Sequence, residues 1–173
     1  LNVNPILEKK MPIRIDTKQM ETIKVGEIFR DFSLKDQNGK DFKLSEQSRK
    51  RVLLSFHPLA WTSVCAEQMK SLEANKKSFD SLNTIAVGLS VDSVPTKKAW
   101  AKSLGIVDTG ILADFWPHGG VASLYGLFRD AEGFSQRANV LVNEDGRVAW
   151  VKIYDLPQLP PIDEVIEAIR NLG

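Results

Sequence analysis

Val52-Leu53-Leu54-Ser55-Phe56-His57-Pro58-Leu59-Ala60-Trp61-Thr62-Ser63-Val64-Cys65 is the run from which the rest of this chain can be read. Residues 52–56 form a short apolar stretch without polar alternation, the pattern of a strand buried on both faces. His57-Pro58 ends it, because proline has no N–H to give a sheet and restricts the residue before it. Beyond the break, Thr62 or Ser63 can serve as N-cap of a new helix, its hydroxyl facing the open backbone N–H groups. With Thr62 as cap, Cys65 is the third helical residue. Met69, Leu72 and Phe79 follow it at spacings of four, seven and fourteen, so the cysteine shares the apolar face of a helix predicted over 63–80.

Cys65 is the only cysteine in the sequence, so it has no partner for an intramolecular disulfide. It is either a small buried hydrophobe or a lone nucleophile whose redox cycle finishes on an outside partner. Reactivity needs the thiolate, and a free thiol pKa of about 8.5 is lowered by a helix N-terminus or a nearby cation. The first turn of the helix supplies the former. Burial alone acts the other way, so the expected position is half-sheltered. Among cations, Lys70 faces solvent on the helix. Arg137 is the better candidate, at the head of the apolar strand Arg137–Val142. An arginine there is either a rim ion pair or the cysteine's cation, and spacing alone does not choose.

The rest of the chain shows no repeats, low complexity or interior linker. Phe29–Leu34 and Asp41–Leu44 flank Asn38-Gly39, a hairpin signal. Thr84–Val91 reads as a second buried strand, and Pro95–Leu104 as a helix with proline in its first turn. A short strand at 111–113 leads through Pro117-His118-Gly119-Gly120 to a helix near 121–125. Strands near 137–142 and 147–153 form a hairpin across Glu144-Asp145-Gly146. The last helix opens at Pro161, with Ile162, Val165, Ile166, Ile169 and Leu172 as its buried stripe. This order predicts an α/β, thioredoxin-like fold: a central mixed sheet flanked by helices, with an N-terminal β-hairpin added. Cys65 then follows the carboxyl end of a central strand, where open α/β sheets place their ligands.

Composition narrows the classes. At 173 residues and 43% hydrophobic content, the chain suits one domain, divided here into a lead-in over 1–23 and a single domain over 24–173. The sequence begins at Leu1, and either this residue or Met11 is the natural start. A net charge of +1 with dispersed basic residues gives no footprint for nucleic acid. No apolar run is long enough for a membrane span, and the first residues do not read as a signal peptide. One cysteine suits a reducing, cytoplasmic compartment. His57 and His118 with Cys65 lack any zinc spacing, so no metal is expected.

Residues 58–65, Pro-x-x-x-Thr-x-x-Cys, resemble the active-site signature of the peroxiredoxins (AhpC/TSA family). Asp92-Ser-Val-Pro-Thr-Lys-Lys-Ala-Trp100 is similar to that family's strand-to-helix segment ending in tryptophan. Ile111–Gly119, with Trp116-Pro117-His118-Gly119, and then Tyr125-Gly126 resemble the one-cysteine alkyl hydroperoxide reductase E subgroup. Arg137 before an apolar strand and Asp145-Gly146 is similar to the second active-site element. The likeness covers about residues 24–172.

The resemblance implies a thiol-dependent peroxidase with Cys65 as the peroxidatic cysteine. Thr62 would hydrogen-bond the sulfur and the peroxide oxygen, Pro58 would shield the thiolate, and Arg137 would stabilise the anion. His57, Trp61 and Gln68 are further candidates for lining or tuning the pocket. Trp61 is a pocket lip, a dimer contact or a structural residue. Trp116 and His118 either join that rim or pack their own loop. Lys70 stands five residues after Cys65, where many relatives carry a resolving cysteine, and no C-terminal extension follows Gly173. A one-cysteine cycle is therefore expected, unless a resolving cysteine has been replaced. Implied partners are hydrogen peroxide, alkyl hydroperoxides or peroxynitrite. The implied reductant is an external thiol: a thioredoxin-, glutaredoxin- or mycoredoxin-like protein or a small thiol. No cofactor is implied. A homodimer is expected, with a larger ring as the alternative. A peroxide sensor relaying oxidation to a partner, and a non-catalytic oligomeric holdase, are the competing functions.

Overall fold

The computed structural model describes residues 20–172, so the choice between Leu1 and Met11, and the lead-in before Met20, lie outside the described residues. A short antiparallel hairpin comes first, β1 (Ser33–Lys35) against β2 (Asp41–Lys43). Its loop is closed by the Asp36 carboxylate, which accepts from the N–H groups of Asn38 and Lys40. Then come β3 (Arg51–Phe56), α1 (Ser63–Ala74), α2 (Lys76–Ser81), β4 (Thr84–Ser90), α3 (Val94–Leu104), β5 (Gly110–Ala113) and α4 (Gly120–Leu124). A two-residue-per-strand hairpin follows, β6 (Phe128–Arg129) with β7 (Phe134–Ser135). The chain closes with β8 (Arg137–Val142), β9 (Val148–Tyr154) and α5 (Ile162–Arg170).

The main sheet runs β5-β4-β3-β8-β9. β3 is parallel to β4 and antiparallel to β8, so it is central, and all six of its residues are buried. That is why it carries no polar alternation. Side chains alternate between two cores. Val52, Leu54 and Phe56 face one with Leu89, Val140 and Tyr125. Leu53 faces the other with Met69, Leu72, Trp100, Leu141, Val165 and Ile169 from the helices and β8. The sheet and its helices have the thioredoxin-like arrangement read from the sequence.

One local reading is corrected, and one element was not anticipated. The helix expected over 63–80 is broken at Asn75, whose backbone (φ −103°, ψ 13°) ends α1 and starts α2. Its side-chain amide donates to Ser71 O, the kind of local bond that competes with helix continuation. The β6–β7 hairpin has strands too short to leave a periodic signal.

The packed body reaches back to Met20. Met20 N–H bonds to Ser123 O, Ile23 N–H to Tyr125 O, and Ile23 is in the core. This segment crosses directly over Gly126, which has φ +68°. A Cβ there would lie 2.4 Å from Thr22 N and 2.5 Å from Glu21 C. Gly126→Ala is therefore expected to lower stability by roughly 2 kcal/mol, from left-handed strain and displaced backbone together. An unchanged denaturation midpoint would contradict this packing.

Candidate active site

The site forms where β3 ends. His57 N–H bonds to Leu89 O, carrying the parallel pairing with β4 one residue past the strand. Pro58 follows, buried, and the chain turns through Trp61 at φ +65°. This turn is latched to the next strand, because Asp92, just beyond β4, accepts from the Ala60 N–H at 2.8 Å and from the Ser90 hydroxyl. α1 then begins, with Thr62 in extended conformation as N-cap and its carbonyl accepting from Ala66 N–H at 2.9 Å. The Thr62 hydroxyl departs from expectation. It donates back to Leu59 O at 2.8 Å and makes no cap bond to the helix. The first-turn N–H groups, with their partial positive charge, are left uncapped beside Cys65.

The sheet brings Arg137 to the same place. β8 runs antiparallel to β3 with Ala138 opposite Phe56, so the first residue of β8 lies beyond the end of β3, level with the turn into α1. Both terminal nitrogens of Arg137 lie 3.5 Å from Cys65 Sγ. The guanidinium is fixed by two further bonds, Nε to Leu156 O at 2.8 Å and Nη1 to Gln68 Oε1. Gln68 is anchored in turn, its amide donating to Ser55 Oγ at 2.8 Å and Phe56 O at 3.2 Å. It ties the end of β3 to α1 and also aims the arginine.

Arg137 is only 3% exposed and, among the described residues, has no carboxylate within 4.0 Å. A buried guanidinium without an anion is costly. The group it forks onto is the Cys65 sulfur, the position at which an anion would answer that charge.

Cys65 itself is 0% exposed, not half-sheltered as expected. The helix stripe packs Cys65, Met69 and Leu72 flat against the Leu53 face of the sheet. The residues immediately ahead of it, Trp61, Thr62 and Ser63, are exposed. Trp61 stands 59% exposed over the turn, so it is not interior packing. Trp116 is 80% exposed, and His118 is held against the β6–β7 hairpin, its Nε2 2.7 Å from Gly133 O and its ring edge-on to Phe128.

His57 is fully buried. Its carbonyl accepts from Ser135, its ring lies beside Trp100, and Nε2 is 3.5 Å from Lys97 Nζ. Burial first, and then the Lys97 charge, push its pKa well below the usual histidine range, so it is neutral. Lys97 and Asp92 are the two residues of this neighbourhood that reading the sequence did not single out. A signal for Lys97 was there: it precedes Trp100, Ala101 and Leu104 by three, four and seven, on the buried stripe of α3. Among the described residues, no three His, Cys, Asp or Glu side chains are grouped to hold a metal ion. No helix there is long and apolar enough to cross a membrane.

Residues 25–151 match the AhpC/TSA family. Alkyl hydroperoxide reductase E of Mycobacterium tuberculosis is 34% identical over 132 residues, covering 76% of this chain and 86% of that protein. Peroxiredoxin-2 of Bos taurus is 31% identical over 137 residues, covering 76% and 68%. The reduced 2-Cys peroxiredoxin of Plasmodium vivax superimposes with a TM-score of 0.78 at 27% identity, over 86% of this chain and 81% of that one.

Proposed function

The chain belongs to the AhpC/TSA family, the peroxiredoxins, which are thiol-dependent peroxidases; from that premise we propose that Cys65 reduces hydrogen peroxide and alkyl hydroperoxides, with peroxynitrite as a further substrate, through a sulfenic acid. The carrying observation is the buried Arg137 fork, with two nitrogens 3.5 Å from the sulfur and, among the described residues, no carboxylate within 4.0 Å to answer it.

In this reading the Cys65 thiolate attacks one peroxide oxygen in line. An S–O bond forms, the O–O bond breaks, and the departing oxygen leaves with the electron pair and takes up a proton to become water or an alcohol. Sulfur is oxidised and peroxide reduced, giving Cys65 sulfenic acid. Charge moves from sulfur to the leaving oxygen, so donors already aimed at that line lower the barrier. Arg137 provides two such N–H groups, Gln68 holds them, and Pro58 keeps bulk water from the sulfur. Cys65 is closed over, and the exposed Trp61–Ser63 turn ahead of it is the side from which peroxide approaches. The sole cysteine leaves the sulfenic acid to an external thiol, thioredoxin-, glutaredoxin- or mycoredoxin-like or small, in a cytoplasmic setting. Residues 24–173 act as one domain, and the exposed Trp61, Phe115 and Trp116 support a homodimer.

Thr62 sits at the mouth and bonds the incoming peroxide. Its hydroxyl is already shared with Leu59 O, so Thr62→Val is expected to slow peroxide reduction about tenfold, less than the hundredfold typical of a fully committed donor. An unchanged second-order rate in stopped-flow tryptophan fluorescence would remove Thr62 from that role. The function as a whole is tested by peroxide consumption in the presence of a panel of thiol reductants. Sustained turnover with at least one is expected; none with any of them, at folded protein, would overturn it.

A further inference from the structure

A second cation is buried near the sulfur, and the chemistry above does not use it. Lys97, on α3, is 0% exposed, and its Nζ lies 3.5 Å from Nε2 of His57, which is equally buried. Among the described residues this is its one hydrogen-bond partner, and no carboxylate lies within 4.0 Å of it. The other ring nitrogen of His57, Nδ1, is buried without a partner. The pair packs next to the helix stripe that carries the cysteine. A Cβ on Gly88 would meet both the His57 ring, 3.3 Å from Cε1, and Met69 Sδ, and Met69 is one helical turn after Cys65. A lysine on an apolar stripe, hydrogen-bonded among the described residues only to a neutral imidazole, is a costly arrangement for packing alone.

We propose that Lys97, held by His57, is a positioning cation for the Cys65 thiolate: its ammonium stabilises the anionic sulfur, and loss of its proton withdraws that support. The proposal rests on the reading of Cys65 as the reacting thiol. Arg137 stays charged at every working pH, so the site has one fixed cation and one that titrates.

The groups facing Lys97 set the sign. Burial pushes its pKa down from 10.5 to about 7, and the charges of Asp92, Asp114 and Cys65 pull it back up. These come from the turn after β4, the turn after β5, and α1. His57, past the end of β3, is neutral throughout; Arg137 of β8 acts on that same ring, and His118 acts on Asp114. The ammonium is thus present below about pH 7 and fades as pH rises through that value. Forming the thiolate favours the ammonium and the reverse, so the two titrate as a coupled pair.

The test follows the ultraviolet thiolate absorbance of the full chain against pH. With a single cysteine the signal is that of Cys65 alone. Burial holds both tyrosines, Tyr125 and Tyr154, protonated above their ordinary range, which keeps phenolate out of the window. Lys97→Met is expected to move the midpoint up by about one pH unit, the lower end of what an opposite charge nearby produces. His57→Phe should move it in the same direction, and His57→Gln, which keeps an acceptor, should move it less. A role in packing alone would shift none of these. Titrations of folded Lys97→Met and His57→Phe that superimpose on the wild type would overturn the proposal. Should Lys97→Met fail to fold, His57→Phe alone carries the reading. No peroxide enters this measurement. A wild-type chain that consumes no peroxide, with the Lys97→Met shift intact, would overturn the peroxidase reading and leave the cation standing.

Discussion

Cys65→Ser is expected to abolish peroxide reduction while leaving the fold intact. A serine hydroxyl is not ionised near neutrality and is a weak nucleophile without an adjacent base. None is positioned here, since the group in contact is a guanidinium. No second cysteine can take over. The replacement exchanges one buried atom for a smaller polar one that can still accept from Arg137, so circular dichroism and the denaturation midpoint should change little. Peroxide consumption by the variant at a rate near that of the wild type would point to a different reacting centre.

Arg137→Met is expected to slow the second-order reaction with peroxide by about a hundred- to a thousandfold, the usual consequence of removing a donor aimed at developing charge. Both N–H contacts to the sulfur go together, and with them the charged group that, among the described residues, is hydrogen-bonded to it. Arg137→Lys should recover little, because an ammonium restores the charge without the planar fork that spans the sulfur, Gln68 and Leu156. The methionine variant also strips donors from Gln68 Oε1 and Leu156 O, at about 1–3 kcal/mol for each acceptor left buried and unpaired. Rates must therefore be compared at matched folded fraction. A rate within threefold of wild type, about 0.65 kcal/mol of barrier, would remove Arg137 from the chemistry and return it to a structural role.

Much of the fold is legible in particular stretches. Residues 52–56 read as a buried strand because β3 lies between two partners with both faces covered, leaving no position for a polar side chain. The stripe of α5 is legible because that helix covers one face only, with Val165, Ile166 and Ile169 turned inward. Asn75 was not, since an interruption that keeps the same face buried on both sides does not disturb the hydrophobic period.

The site was legible where chemistry is written in a local string and obscure where it depends on packing. Cys65 falls at the third helical residue as its spacing from Thr62 implies. Its complete burial depends on how tightly α1 lies on the Leu53 face, which no spacing states. The Thr62 hydroxyl is turned away from the helix and donates to the Leu59 carbonyl in the same tight turn, a rotamer choice that no spacing states. Arg137 reached the sulfur through strand order, and strand order is not a local property. Lys97 was passed over because a lysine is read as solvated by default. Its place on the Trp100 stripe outweighed that default.

The most direct measurement treats the wild-type chain with a stoichiometric dose of peroxide, adds a sulfenic-acid trap, and maps the adduct by mass spectrometry. A single adduct on Cys65, sharply reduced in Arg137→Met, is the expected result. Peroxide consumed with Cys65 unmodified, or oxidation confined to the methionines, would mean that the sulfur beneath that guanidinium is not where peroxide is reduced.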